Sequence, residues 1–131
     1  MGYDVHITRK PHWSDENGPE IPLAEWIAVV RADRDMRLDG YAETRVGDGG
    51  VLRIENEGLS VWTAYSHHGE NGMAWFSFHH GNVVVKNPDC EILQKMWSLA
   101  QGLLAKVQGE EGELYDALGN QMPNHEGMAN G

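Results

Sequence analysis

The apolar period of this chain becomes helical only twice; the rest alternates or turns. Leu23, Trp26, Ile27 and Val30 fall at i, i+3, i+4 and i+7, which makes one stripe of an α-helix. Ile92, Met96, Leu99 and Leu103 make a second stripe of the same kind. A helix with a single apolar stripe must bury it against a partner layer, and the remaining segments offer strands. "YDVHITR", residues 3–9, sets Tyr3, Val5 and Ile7 on one face and Asp4, His6 and Thr8 on the other. The pattern predicts an α+β fold, an antiparallel sheet of about five to seven strands with two helices packed on one face. Polar-apolar alternation leaves the other face wet.

Turn chemistry orders the segments. "KPHWSDENGPEIP" reads as a polar loop, after which Pro22 suits a first helical turn and Glu25 its positive end. The next strand runs from Met36 through Leu38 to Glu43. In "VGDGGV", Asp48-Gly49 predicts a type I′ hairpin turn, and a strand continues through Leu52. "LSVWTAY" and "MAWFSFHH" form a second hairpin around Asn71-Gly72, and "VVVK" follows Gly81-Asn82 as a buried strand. Asn87 is the expected N-cap of the second helix, with Pro88 at its first position. "KVQGEEGELYD" is a last extended segment. Residues 1–116 are read as a single α+β domain and 117–131 as a flexible tail.

The chain has 131 residues, long enough to bury a core without a disulfide or metal staple. Its single cysteine, Cys90, excludes an internal disulfide and fits a reducing compartment. The opening residues lack the apolar core of a secretory signal, and no apolar run approaches a membrane span, so a cytoplasmic protein is expected. Twenty acids against ten bases give a net charge of −10. Nucleic-acid binding rests on Lys and Arg displacing counterions, so this charge opposes it. A basic protein partner would instead be steered in.

The histidine pairs His67-His68 and His79-His80 are the most conspicuous candidates for chemistry. Adjacent strand residues point to opposite faces, so each pair offers one imidazole per face. In a regular hairpin the same-face histidines lie roughly 13 to 26 Å apart at ~3.3 Å per residue. One zinc needs its ligand nitrogens within about 4 Å. No metal site and no cofactor is therefore expected. Cys90 falls in the first helical turn, where the dipole favours a thiolate, but Asp89 and Glu91 oppose it, and a half-buried packing role is the default. The acidic groups Asp33, Asp35 and Asp39, and Glu110, Glu111 and Glu113, read as solvated surface. Of five tryptophans, Trp13 in its polar loop has the best claim to exposure. No catalytic constellation emerges.

"YDVHITR", "LAEWIAVV", "MRLDGYAET", "VWTAY", "AWFSF", "VVVKNPD" and "LLAKVQGEEGELYD" together resemble a family of short bacterial α+β proteins. The resemblance spans most of residues 3–116 and carries no catalytic motif to transfer. Proteins of this size, acidity and architecture are similar in type to the immunity proteins of polymorphic toxin systems. That likeness implies a non-enzymatic protein, monomeric or homodimeric, that binds and neutralises a cognate toxin with a basic effector domain such as a nuclease. The residues expected to bind the partner, chosen by exposure, are Asp48, Glu55, Glu57, Tyr65, His67, His68 and Glu70. A small enzyme using a histidine or Cys90 in a sheet cleft, and a housekeeping homodimer, are the alternatives.

Overall fold

The alternating segment Asp4–Thr8 forms strand β1, which ends up inside a sheet rather than at its edge. The structure is a computed structural model that describes residues 3–68 and 73–123. After β1 come α1 (Leu23–Ala32), β2 (Met36–Leu38), β3 (Tyr41–Arg45), β4 (Val51–Glu55) and β5 (Ser60–Trp62). Then follow β6 (Trp75–His79), β7 (Asn82–Lys86), α2 (Cys90–Gly102) and β8 (Lys106–Gly109). Six strands pair antiparallel in the order β2-β5-β6-β7-β1-β8, while β3 and β4 form a separate two-stranded ribbon. The fold is α+β, as the two helical stripes among alternating segments predict.

Pairing puts Val5 opposite Val85 and Ile7 opposite both Val83 and Val107. This row, with Phe76, forms the sheet side of the core. Trp26 and Val30 of α1 and Ile92, Met96 and Leu99 of α2 supply the helix side, so both helices cover the same face. Trp26 is fully buried on Phe76, with ring centroids 6.3 Å apart, and its indole N–H donates to the Gly58 carbonyl at 2.7 Å. Gly58 is needed there: a Cβ would lie 2.6 Å from Cβ of Phe78 and 2.9 Å from Cδ1 of Trp26.

Several local expectations are corrected by tertiary demands. The strand read from Met36 to Glu43 breaks at Gly40, whose φ of +79° turns the chain out of the main sheet into the ribbon. The ribbon closes over residues 46–50 rather than through a two-residue turn. Arg45 pairs with Val51, Val46 and Gly50 are hydrogen-bonded, and only Gly49 has positive φ. The tight two-residue turn is His80-Gly81, between paired His79 and Asn82, with φ of 52° and 77°. Two successive positive φ angles are what a type I′ turn requires. α2 is capped by Asp89, whose carboxylate accepts from the Ile92 amide at 2.8 Å, two residues later than Asn87 would place it. Asn87 instead ties the start of β1 to the end of β7, exchanging hydrogen bonds with the backbone of Tyr3.

The predicted turn Asn71-Gly72 lies outside the described residues. β5 and β6 do pair, with Ser60 opposite Phe76 and Val61 opposite Trp75, but β5 stops at Trp62. Residues 117–123, expected to fray, keep bonding to the body. Leu118 accepts from Cys90 Sγ and Gln94, Tyr115 bridges to Gln121, and the Met122 amide donates to the Leu114 carbonyl. Among the described residues no helix is long and apolar enough to cross a membrane.

The Trp26 contact generates a stability prediction. Trp26→Ala removes a fully buried aromatic and one of the two hydrogen bonds to the Gly58 carbonyl, the other coming from the Ser60 hydroxyl, so it should cost about 3–5 kcal/mol. Urea unfolding is expected to show a lower midpoint at unchanged slope.

Candidate functional site

The face of the sheet away from the helices is only partly wet. On β1, His6 and Thr8 point away from the core, yet they are 5% and 0% exposed. Residues 9–22 cover them. The indole of Trp13 lies flat on the His6 imidazole, with centroids 4.1 Å apart and planes 8° from parallel. Bonds to β7, to β8 and to the residue after β8 hold Trp13 in place. The Trp13 amide donates to Oε1 of Gln108 at 2.7 Å, its indole N–H to the Glu110 carbonyl at 3.1 Å, and its carbonyl accepts from Nδ2 of Asn82 at 2.9 Å.

Both ends of the covering segment are pinned to the β6–β7 turn. Lys10, almost fully buried, donates from Nζ to the His80 carbonyl at 3.0 Å, and the Ile21 amide donates to the Gly81 carbonyl at 2.9 Å. Gly81 has no room for a Cβ because the Glu20 side chain lies over it. Between the covering segment and the sheet is a cleft of about 460 Å³, within the size range of ligand sites. Val84 and Asn82 line it from β7, His6 from β1, and Lys10, Trp13 and Glu20 from the cover.

The polar groups of this cleft are unevenly satisfied. Nδ1 of His6 and Oδ1 of Asn82 are buried without a hydrogen-bond partner among the described residues. Burial pushes the His6 pKa down, and the nearby Asp4 carboxylate and the Gln108 backbone only partly offset it, so the ring is neutral near pH 7. Beside it, Asp15 accepts from the His12 amide at 2.9 Å, and His12 Nδ1 meets Ser14 Oγ at 2.7 Å. These bonds stiffen the cover rather than build a catalytic relay.

The residues expected to bind a partner fall in two groups on different elements. Asp48, Glu55 and Glu57 lie on the β3–β4 ribbon and the turn after it, all exposed. Asp48 accepts from the Gly50 amide at 3.1 Å, and Glu55 pairs with Arg53 at 3.3 Å. Tyr65, His67 and His68 are not on a strand; they form a turn docked on the first turn of α2. Tyr65 donates to Asp89, and Ser66 donates to Glu91 from its amide at 3.0 Å and its hydroxyl at 2.6 Å. The bond to Asp89, ahead of burial, raises the Tyr65 pKa to about 12. His67 meets the Tyr65 ring edge-on at 5.4 Å. Glu70 lies outside the described residues.

Other candidates change character. Cys90 is exposed rather than half-buried, with Sγ donating to the Leu118 carbonyl at 3.2 Å. Trp13 is half-buried rather than exposed. Glu113 is not simply solvated: it accepts from the hydroxyls of Tyr3 and Tyr115. Burial raises its pKa, but these bonds together with backbone amides hold it below the usual value. Burial raises the Asp33 pKa as well, but its 2.6 Å pair with Lys95 and the Asp35 amide together hold it below the usual value. No motif spacing marked His6, Trp13 or Asn82 as a group. The one trace in the sequence was a large aromatic, Trp13, placed in an otherwise polar loop.

The buried imidazole makes stability depend on pH. His6 in the unfolded chain takes up a proton near pH 6.5, while the folded chain resists until a lower pH. Between those values the unfolded state binds more protons, so stability falls as pH drops below about 6.5. The contribution of one such group approaches about 1.4 kcal/mol per pH unit. Urea midpoints from pH 7.5 to 5 should fall less steeply for His6→Gln than for the parent chain, and equal slopes would contradict the assignment. Comparison of the chain with family models, curated proteins and solved structures gave no match.

Proposed function

We propose that this chain is a cytoplasmic, non-enzymatic binding protein of the immunity type, which neutralises a basic toxin domain through an acidic surface. The observation that carries the reading is how the chain spends its cations. Arg9 pairs with Glu25, Arg37 with Asp39, Arg53 with Glu43 and Glu55, and Lys95 with Asp33. Lys10 and Lys106 point inward, to the carbonyls of His80 and Lys10. Six of the ten Lys and Arg side chains are thus held by partners within the fold. The pairing leaves the net charge at −10, and among the described residues exposed acids such as Asp48, Glu57, Asp89 and Glu111 face outward.

Surplus surface charge of this kind raises association rates with a basic partner more than it raises affinity. The ribbon supplies apolar contact beside the acids, because Tyr41, Val46, Val51 and Leu52 are exposed along it. Asp48, Glu55 and Glu57 on that ribbon, with Tyr65, His67 and His68 beside Asp89 and Glu91, are the proposed contact residues. A standard interface needs about 800 Å² per partner.

The test begins with the gene neighbourhood. A large modular protein with a variable C-terminal domain encoded beside this chain supplies the partner for kinetics. Association measured by stopped flow should slow at least about tenfold between low and physiological salt. A Glu55→Lys, Glu57→Lys double variant should slow association further while leaving the dissociation rate nearly unchanged. An association rate indifferent to salt would overturn the reading.

A further inference from the structure

The cleft under Trp13 has a ligand preference that its own atoms dictate. Asn82 is 3% exposed, and its Nδ2 is committed to the Trp13 carbonyl. A carbonyl only accepts, so that bond fixes the amide orientation, and Oδ1 is left as a buried acceptor with no donor among the described residues. Nδ1 of His6, 5% exposed, has no partner there either, and in the Nε2–H tautomer it is a second acceptor. An acceptor shut away from water in this manner is expensive unless a donor arrives.

The charge of the cleft narrows the donor. Asp15, Glu16 and Glu20 line it against one cation, Lys10, whose Nζ is already given to the His80 carbonyl. An anionic ligand is opposed by three carboxylates. Among the described residues no group of three or more His, Cys, Asp or Glu side chains is arranged to hold a metal ion.

Geometry then separates two kinds of organic cation. His6 pairs with Val84 across the strands, so Asn82 sits at the diagonal position two residues on. Diagonal neighbours on an antiparallel pair lie about 7–8 Å apart. An ammonium is a compact point and reaches one such acceptor at a time. A guanidinium is planar, presents donors on several edges and is weakly hydrated, so it spans separated acceptors and tolerates the apolar floor of Val84 and the wall of Trp13.

We infer that the cleft bounded by His6, Trp13, Asn82 and Glu20 is a binding site for a guanidinium group. The inference rests on, and deepens, the reading of this chain as a receptor for a basic partner, since an arginine is a common anchor of protein interfaces. A free guanidino metabolite presents the same chemistry, and the experiment separates the two sources.

The probes are agmatine, putrescine, N-butylurea and a blocked Gly-Arg-Gly peptide, titrated into the full chain at low salt. The readouts are the NMR signals of the His6 ring and the Asn82 side-chain amide. Agmatine should saturate both shifts with a dissociation constant of about 1 mM or tighter. Putrescine and N-butylurea, which lack the planarity or the charge, should bind at least about tenfold more weakly. Glu20→Gln, an exposed change that leaves the core alone, should weaken agmatine about threefold. Asn82→Ala should abolish the response, with the His6–Trp13 stack checked by the His6 ring shift to show that the cover still closes. The peptide binding more tightly than agmatine assigns the guanidinium to a protein partner, and the reverse order assigns it to a metabolite. No shift with agmatine, or equal binding of putrescine, overturns the inference. Failure here leaves salt-dependent association with the toxin intact. Loss of that salt dependence while agmatine still binds overturns the functional reading and spares the cleft.

Discussion

Strand β1 is buried on both faces, and the rest of the architecture follows from that constraint. Toward the helices, Val5 and Ile7 join the core that α1 and α2 close. Away from them, His6 and Thr8 are just as inaccessible. Polar side chains on that face need cover or water, and residues 9–22 provide the cover by laying Trp13 on His6 and fastening Lys10 and Ile21 to the β6–β7 turn. The turn must therefore be tight and must lack a side chain under Glu20, which Gly81 satisfies. A cover over polar groups leaves polar groups beneath it, and the cleft is the consequence.

The same economy governs charge. The cations go to structural partners: Lys95 ties α2 to Asp33 beyond the end of α1, Arg9 ties the covering segment to α1, and Lys106 reaches back to the Lys10 carbonyl. Exposed pairs of this sort add little stability, with a median near 0–1 kcal/mol. Each pair also neutralises an acid, so the net charge is untouched and what the pairing fixes is where the unpaired acids lie. A net charge this far from zero favours solubility.

The helices and most strands were legible because their signals are local and periodic. The stripe of Leu23, Trp26, Ile27 and Val30 needs no knowledge of its partner to be read as a helix, and Trp26 and Val30 are buried as the stripe requires. Alternation in Asp4–Thr8 was equally clear. Boundaries were less so. Asp89 capped α2 in place of Asn87, and the tight turn before β7 fell at His80-Gly81, since each choice depended on which backbone pairing closed around it. The histidines at 67 and 68 left the strand because α2 offered Asp89 and Glu91 to the turn that carries them. Helix contacts of that kind have no sequence period.

By itself the sequence determined the α+β class, the two helices with their buried stripes, the strand character of the segments between them and the sign of the outer field. Each of these depends on residues close together in the chain or on a sum over all of it. Only the tertiary structure decided that His6 is buried and neutral, that Trp13 is its lid, and that Asn82 is left with an unanswered acceptor. These residues come from β1, a loop and β7, separated by up to 76 positions. Burial and hydrogen bonding are properties of what surrounds a group in space, and for this site the surroundings are assembled only when β7 and β8 close on either side of β1.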